Sequence, residues 1–487
     1  MISGIVLGVL AIGALVWLQS RRAHDNEQFG FNEYVRNPSL RHKQAQIHQE
    51  REEMVACLAK ESPEKLVPML LDDQLLPVVQ PAICEAGPAV VPHLIAALAD
   101  PAYRTPVDEE TQSSVHVFFR RSAPIVTVLR CLAEYAPPAA VASVAPLVTD
   151  PNQQIRQHAS LLLGAIATDD AIDSLSEALA DDDDYVRSYA MMGVLQAMDA
   201  GRGSPRFRKA VFDAIVPLVW RDDIASSGDA PKCLLRLDRQ RAVSVLTGPE
   251  ALSPGREGLM YVLRALKEDR VPIDGDDLLR LIEAIEPETT EHHDARVLAE
   301  ALQLLARVDA DKSQAAIRRG LESKSQKVRE GAAKALAASK SITEPFRIAF
   351  GRLEKAGWNG LTPSQRHVLA VRILIDEVKN GGFEQYFVNS SGDHWADAVA
   401  GLEAVGATRV HALTQEAISH FGAGGPSIDT DKRHRQLARL VKKQGKVFSH
   451  LEDTFYKDED GIEVCLLQYI VDHEVDFREK ASTEERA

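Results

Sequence analysis

The stretch DPNQQIRQHASLLLGAIA, residues 150–167, decides the fold because its pattern returns twice in the chain. It aligns with DDDDYVRSYAMMGVLQAM, residues 181–198, at an offset of 31 residues, and with SKSQKVREGAAKALAAS, residues 323–339. Each copy has a polar turn, then Ile or Val, then Arg, then Ala three residues after the Arg. Such recurrence is typical of helical repeats, each of which buries its apolar face against the next repeat.

The repeated residue types have physical roles in a helix pair. The arginines are Arg156, Arg187 and Arg329, and the alanines are Ala159, Ala190 and Ala332. We expect the Ile or Val to be buried, Asp to cap the second helix, and Ala to let helices approach closely. The pattern resembles the HEAT-repeat family, whose second helix begins Val-Arg-x-x-Ala after an Asp-rich turn. The resemblance implies an α-solenoid, which we place at residues 48–342, with a concave binding surface.

Composition agrees with helical packing. Apolar residues make up 45% of the chain and aromatic residues only 6%, which is typical of Ala- and Leu-rich helices. We therefore predict an all-α protein with an N-terminal transmembrane helix, a HEAT-like α-solenoid and a compact C-terminal helical domain. The net charge of −15 argues against direct nucleic-acid binding, since neutralising phosphates requires an excess of Lys and Arg.

The stretch NGGFEQYFVNSSGD, residues 380–393, interrupts the helical pattern near the end of the chain. Its glycines can form a turn because glycine reaches positive φ without steric cost. Three aromatic residues then fall at helical spacing, and residues 389–392 are expected to stop that helix. Ser391 or Asp393 can cap the next one. We therefore predict two helices joined by a compact turn.

With Glu377, the stretch reads E-x-x-N-G-G-F-x-Q-Y-F-x-N-S-S-G-D. This signature resembles the bacterial family that contains the DNA mimic protein, an otherwise largely uncharacterised helical domain. The resemblance predicts a domain at residues 361–487, joined to the solenoid by a linker at 343–360. The family name implies an acidic surface that occupies a DNA-binding protein. The nearest acidic candidate in this chain runs from Glu452 to Asp476.

The turn is the best candidate for a partner-binding site, although its polar side chains could equally satisfy backbone groups. The candidate residues are Asn380, Gly381, Gly382, Phe383, Gln385, Tyr386, Phe387, Asn389, Ser390, Ser391, Gly392 and Asp393. A second candidate is a basic stripe on one helical face, which could meet anionic lipid, an acidic part of the chain, nucleic acid, or solvent alone. The stripe consists of Arg435, Arg439, Lys442 and Lys446.

Residues 2–18, ISGIVLGVLAIGALVWL, form an uncharged run that is followed by Arg21 and Arg22. A helix of this length covers roughly 25 Å, near the lower limit for crossing a bilayer. A cleavable signal peptide would carry its positive charge before the run, so we interpret residues 1–22 as an uncleaved anchor. The positive-inside rule predicts a single-pass protein of the bacterial inner membrane, with its N-terminus outside and its body cytoplasmic. Residues 23–47 are expected to form an irregular polar tether.

The sequence shows no nucleophile with a base, no phosphate-binding loop and no metal-ligand spacing, and its five cysteines are scattered. We therefore predict no catalytic residue, no metal and no cofactor. The predicted function is a membrane-anchored, non-catalytic scaffold or adaptor that binds protein partners and contacts the membrane through residues 2–18; a homodimer is left open. One alternative is a regulator that sequesters a DNA-binding protein. The other is a HEAT-like lyase or glycosylase-type enzyme.

Overall fold

The computed structural model describes residues 38–72, 75–104, 123–221, 224–248, 250–285, 292–342, 344–444, 447–457 and 461–478. Within these ranges every regular element is a helix, which confirms the all-α prediction. The predicted anchor at residues 2–18 lies outside the described residues. In the described part of the chain no single helix has the length and apolar character to cross a membrane. One pair of helices, bent by 110° at a short break, has a sufficient length and apolar composition only when its two members are taken together.

The α-helices are numbered in chain order, and short 3-10 turns join several of them. The first thirteen are α1 Pro38–Leu58, α2 Pro63–Leu66, α3 Leu76–Glu85, α4 Val91–Ala97, α5 Pro124–Tyr135, α6 Val141–Val144, α7 Gln153–Ile166, α8 Ile172–Leu179, α9 Asp184–Asp199, α10 Pro205–Ile215, α11 Ile224–Leu237, α12 Arg239–Leu246 and α13 Leu259–Glu268. The others are α14 Gly275–Ala284, α15 His292–Val308, α16 Ala310–Leu321, α17 Gln326–Ser339, α18 Pro345–Ala356, α19 Pro363–Val388, α20 Trp395–Ala404, α21 Thr408–Ser419, α22 Thr430–Gln444, α23 Ser449–Phe455 and α24 Ile462–Asp472.

Two segments that the sequence assigned to a tether and to a linker contain helices. The predicted tether at 23–47 is helical from Pro38 onward, because Pro38 starts α1 and strong helix formers follow it. The predicted linker at 343–360 contains α18. Pro345 stands in the first turn of α18 and Gly357 directly after its end. Proline and glycine at these positions begin and end helices, so the segment predicted as a linker is itself largely helical.

The chain divides into two compact units, residues 1–251 with 256–265 and residues 252–255 with 266–487. The division thus falls near residue 260, and helices α14 to α17 share the second unit with the C-terminal domain. Within that unit α17 packs directly against α24. Ala333 and Ala337 of α17 belong to the same buried cluster as Phe387 of α19.

Close helix packing holds the repeat helices of the first unit together. The α7–α9 interface is centred on Gly164 and Gly193. A Cβ atom on Gly193 would lie 2.0 Å from the carbonyl oxygen of Leu161, and one on Gly164 would lie 2.5 Å from that of Ala190. Because these neighbours are backbone atoms that cannot rotate away, the two glycines set the spacing of the helices.

The repeated arginine supports the turn that precedes its own helix. Arg156 is the fourth residue of α7, and its Nη1 donates to the carbonyl oxygen of Asp150 at 3.0 Å. Arg187, Arg208 and Arg329 also stand fourth in their helices and donate to the carbonyl oxygen six residues earlier. The guanidinium satisfies turn carbonyls that lack a helical partner, which explains why arginine recurs at this position.

Candidate functional site

The predicted turn at residues 380–382 is a break within α19. Gly381 has φ −160° and ψ 25°, and Gly382 has φ 78° and ψ −178°. A Cβ atom on Gly382 would lie 2.1 Å from Oε1 of Glu452, and this oxygen accepts a 2.9 Å hydrogen bond from the N–H of Phe383. Glycine provides both the positive φ and the room for a carboxylate that caps the second half of the helix. The two helices predicted on either side of residues 389–392 are confirmed, because α19 ends at Val388 and α20 begins at Trp395.

The three aromatic residues after the break are part of the core. Phe383, Tyr386 and Phe387 are at most 1% exposed. The ring of Phe383 lies 5.7 Å from that of Phe455, and the ring of Phe387 lies 4.8 Å from that of Phe421. In this conformation they cannot contact a partner, so their inclusion among the partner-binding residues is corrected. Helical spacing grouped them on one face because that face is buried.

Glu377 organises the polar half of the turn. Its carboxylate accepts a 2.9 Å hydrogen bond from Nε2 of Gln385 and hydrogen bonds of 2.7 and 2.9 Å from Nδ2 of Asn389. The hydroxyl of Ser391 donates to the same carboxylate at 2.9 Å. One charged group thus holds three side chains of the motif, and a carboxylate has the lone pairs to accept all of these bonds.

Arg433 of α22 holds the turn from the other side and is fully buried. Its Nε donates to the carbonyl oxygen of Phe387 at 2.7 Å, and its Nη2 donates to that of Asn389 at 3.0 Å. Nη2 also pairs with Oδ1 of Asp393 at 2.6 Å, and Nη1 donates to the carbonyl oxygen of Ser427 at 2.7 Å. The guanidinium therefore supplies hydrogen bonds that the last carbonyl groups of α19 lack.

Gly392 makes room for this guanidinium. A Cβ atom there would lie 2.9 Å from Nε of Arg433 and 2.9 Å from the carbonyl oxygen of Tyr386. Ser391 and Asp393 are engaged by Glu377 and Arg433, and neither caps α20. The prediction of a side-chain cap there was wrong because both side chains have tertiary partners.

The remaining surface of the motif is small. In the stretch 380–393 the exposed residues are Asn380, Gly381, Glu384 and Ser390. All the others are buried or partly covered. The contacts made by Glu377 and Arg433 satisfy polar groups inside the protein. This arrangement favours the structural interpretation of the turn over the binding-site interpretation.

A polar cluster near the turn was not identified from the sequence. The ring of Trp358 stacks on that of His394 with centroids 3.7 Å apart, and its Nε1 donates to Oδ2 of Asp397 at 2.9 Å. His367 Nδ1 lies 2.9 Å from the hydroxyl of Tyr469. These residues are far apart in sequence and form no motif, so only their place in the fold reveals them.

Burial lowers the pKa of His367 and of His394, and Asp397 opposes this effect in both cases. Both imidazoles are therefore largely neutral near pH 7. Within the described ranges no group of three or more His, Cys, Asp or Glu side chains could hold a metal ion. We interpret the cluster as polar packing that joins the Trp358 turn to α19 and α20.

The basic stripe is only partly described. Arg435, Arg439 and Lys442 lie on the exposed side of α22, as their helical spacing predicts, and Lys446 lies outside the described residues. Arg433 belongs to the same basic run of sequence but points into the domain. No signal in the sequence separates this buried cation from its exposed neighbours.

A second candidate surface lies on α7 and α9. Tyr185 is 57% exposed and Met192 is 46% exposed, and the rings of His158 and Tyr189 meet edge to face at 5.1 Å. The repeat offset of 31 residues aligns His158 with Tyr189, and Leu161 with Met192, so these residues occupy equivalent faces of neighbouring helices. We call His158, Leu161, Tyr185, Tyr189 and Met192 the aromatic face.

Two crystal structures of engineered proteins match the chain, each with 18% sequence identity. The match to the first covers 52% of this chain and 96% of that protein, with a TM-score of 0.22. The match to the second covers 78% of this chain and 99% of that protein, with a TM-score of 0.24. These scores are too low to support an argument about fold or function. No curated protein sequence matches the chain.

Two family models match separate parts of the chain. Residues 125–194, which include α7 and most of α9, match the model described as HEAT repeats. Residues 359–473, which include the turn and its partners Glu377 and Arg433, match the model described as DMP19-like protein. The chain therefore carries HEAT repeats and, at its C-terminal end, a DMP19-like domain.

Proposed function

We propose that this protein is a non-catalytic scaffold that binds a protein partner through the aromatic face. HEAT repeats and a DMP19-like domain point to protein interaction in general. The observation that carries the proposal is that Tyr185 and Met192, two helical turns apart on the same face of α9, are both exposed. Large amphipathic side chains that remain exposed together are typical of binding surfaces rather than of an ordinary solvated helix.

The charge beside the aromatic face defines the chemistry of the partner. The run Asp181–Asp184 precedes α9. Two members have structural roles, since Asp181 pairs with Arg156 and Asp183 caps α9, while Asp182 remains exposed. We infer that the partner presents an apolar segment with flanking Lys or Arg, because opposite charges at the rim favour correct orientation.

The proposal includes attachment to the bacterial inner membrane through residues 2–18, with the body in the cytoplasm. The uncharged run and the arginines that follow it support this arrangement. Attachment would confine the binding surface to the membrane plane and raise its effective concentration for a partner located there. A reporter active only in the periplasm, fused to the C-terminus, should remain inactive; strong activity would contradict this orientation.

Sequestration of a DNA-binding protein gains no support from the acidic residues of the C-terminal domain. Glu452 caps the second half of α19, Glu463 pairs with Arg372, and the carboxylate of Asp476 bonds Ser364. Acidic groups used for internal contacts do not form the dense stripe that would compete for a basic groove.

The test is site-specific photo-crosslinking in cells. A p-benzoylphenylalanine in place of Met192 should give a crosslinked partner, whereas the same group at Glu177, an exposed position on α8, should not. Tyr185→Ala with Met192→Ala should abolish capture of that partner, and the melting temperature should change little because both side chains are largely exposed. Equal crosslinking from both positions, or capture unaffected by the double substitution, would reject the aromatic face as the binding surface.

A further inference from the structure

Two cysteines of the first unit lie on neighbouring helices that are held together beside them. Cys84 is in the last turn of α3 and Cys131 is in α5, and these helices pack against each other. Tyr135 follows Cys131 by one helical turn, so both side chains lie on the same face of α5. The hydroxyl of Tyr135 donates to the carbonyl oxygen of Ile83 at 2.5 Å and to that of Cys84 at 3.1 Å. The Cys131 face of α5 is thereby fixed against the end of α3.

The other thiol is the largest influence on the pKa of each of these two cysteines, but the cysteines differ in exposure. Cys84 is exposed, whereas Cys131 is completely buried. The buried Cys233 is arranged differently, because its thiol donates to the carbonyl oxygen of Met191 at 3.4 Å. A reagent in solution therefore reaches Cys84 before Cys131.

The surroundings separate the roles of the two sulfur atoms. The hydrogen bond from Cys131 lowers the pKa of Cys84, and Arg130 contributes in the same direction. Donating that hydrogen bond, together with burial, raises the pKa of Cys131. Glu134 opposes ionisation of both thiols. Cys84 is thus the thiol that ionises more readily, and the thiolate is the reactive form.

We propose that Cys84 and Cys131 form an oxidation site that closes to an intramolecular disulfide when a peroxide reaches Cys84. In the first step the Cys84 thiolate attacks hydrogen peroxide; an S–O bond forms as the O–O bond breaks, giving a sulfenic acid and hydroxide. In the second step the Cys131 sulfur attacks the Cys84 sulfur; the S–S bond forms as the S–O bond breaks, and the thiol proton leaves with the oxygen as water. The two thiols lose two electrons, which reduce one peroxide to two molecules of water.

The disulfide would join α3 to α5 covalently and close the chain between residues 84 and 131 into a loop. A crosslink across a loop of this length limits the unfolded chain, so the oxidised first unit should melt at a higher temperature than the reduced one. Reduction by a dithiol should reverse the change.

The experiment treats the reduced, purified full chain with one equivalent of hydrogen peroxide, alkylates the remaining thiols and maps the peptides without reduction. We expect a disulfide-linked peptide pair containing Cys84 and Cys131, and the loss of two alkylatable thiols. Cys57→Ser, at the other exposed cysteine, should give the same yield of this pair. If Cys57 is oxidised and the Cys84–Cys131 pair does not form, the proposal is overturned.

Single variants test the order of the steps. In Cys131→Ser, Cys84 should stop at the sulfenic acid and become labelled by dimedone. In Cys84→Ser, oxidation of Cys131 should slow at least tenfold, because the exposed nucleophile is gone. If Cys131→Ser fails to fold, Cys131→Ala offers an apolar replacement of similar size for the same dimedone experiment. Absence of dimedone labelling in a folded variant, or unchanged oxidation of Cys131 in Cys84→Ser, would contradict the assigned order.

Discussion

An arginine stands at the fourth position of the helix both in the HEAT repeats and in the DMP19-like domain, but its reach differs. Arg156 donates to the carbonyl oxygen of Asp150, six residues earlier, and Arg433 makes the same local contact with Ser427. Arg433 then continues to a carbonyl oxygen of α19, 46 residues earlier in the chain. The same local device supports a turn in one region and joins distant helices in the other.

The two regions gain stability in different ways. The repeats rely on close backbone packing at α7 and α9, and each of their arginines supports the turn before its own helix; Arg156 also pairs with Asp181 in the turn before α9. The DMP19-like domain relies on a buried polar junction. One guanidinium there satisfies carbonyl groups at the end of α19, in the turn after it and in the loop before α22. Removing one polar partner from a buried junction leaves the others without hydrogen bonds, which costs more than losing a partly exposed contact.

The largest expected effect comes from Arg433→Ala. The substitution leaves Asp393 and three carbonyl groups without their donor, so the unfolding free energy of the second unit should fall by about 3–5 kcal/mol. Arg156→Ala should cost the first unit about 1–2 kcal/mol, because it removes one carbonyl contact in the preceding turn and the ion pair with Asp181, while part of the side chain is exposed. Chemical denaturation followed by tryptophan fluorescence measures both values. Arg435→Ala, at an exposed position on the same helix, is the control. Equal losses of unfolding free energy in Arg433→Ala and Arg435→Ala would show that the buried junction does not stabilise the domain.

The second prediction tests whether the close packing of α7 against α9 stabilises the repeats. Gly193→Ala places a methyl group against the backbone of Leu161, so the unfolding free energy of the first unit should fall by about 2–3 kcal/mol. Gly351→Ala is the matched control, because no atom lies within 4 Å of its Cβ position in α18. There, replacing glycine in a helix should stabilise the protein slightly. If Gly193→Ala is tolerated as well as Gly351→Ala, close packing does not set the repeat spacing.

The third effect concerns Glu377, the second charged residue of the polar junction. Glu377→Gln replaces one acceptor oxygen by an N–H donor that faces the amide of Asn389. The unfolding free energy of the second unit should therefore fall by about 1–2 kcal/mol. The nearby exposed Glu384→Gln should change the unfolding free energy by less than about 0.5 kcal/mol. Equal values for the two variants in denaturation experiments would show that the carboxylate of Glu377 does not organise the turn.

The smallest effect is a pH dependence. Burial lowers the pKa of His158 in the repeats and of His367 and His394 in the DMP19-like domain. Between the lowered pKa and the ordinary value of about 6.5 the unfolded chain binds more protons, so stability rises with pH and is lost as the pH falls through this window. Melting temperatures should therefore be lower near pH 5.5 than near pH 7.5.

Substitution separates the contribution of each region to this pH dependence. His367→Gln with His394→Gln should flatten the pH dependence of the second unit, and His158→Gln should flatten that of the first unit, because glutamine does not titrate. A pH profile that remains unchanged in the double variant would show that these two imidazoles do not account for it.

The contrast in reach also explains what the sequence could predict. The carbonyl partner of Arg156, Asp150, lies in the turn before the same helix, so this contact repeats as a visible pattern, and Asp183 caps α9 as the Asp-rich turn predicted. The partners of Arg433 are set by the packing of α19 against α22, which no local pattern encodes. The helix inside the linker segment was not predicted for a related reason, because proline and glycine such as Pro345 and Gly357 can either interrupt a helix or mark its two ends.

The packing of α17 against α24 has a consequence for how the stack of repeats ends. A helical array leaves an apolar surface at its last repeat, and solenoids commonly cover it with a specialised capping repeat that has a polar outer face. Here Ala333 and Ala337 of α17 enter the core of the DMP19-like domain, so this domain covers the apolar face of α17. A chain cut after residue 342 would lose that cover.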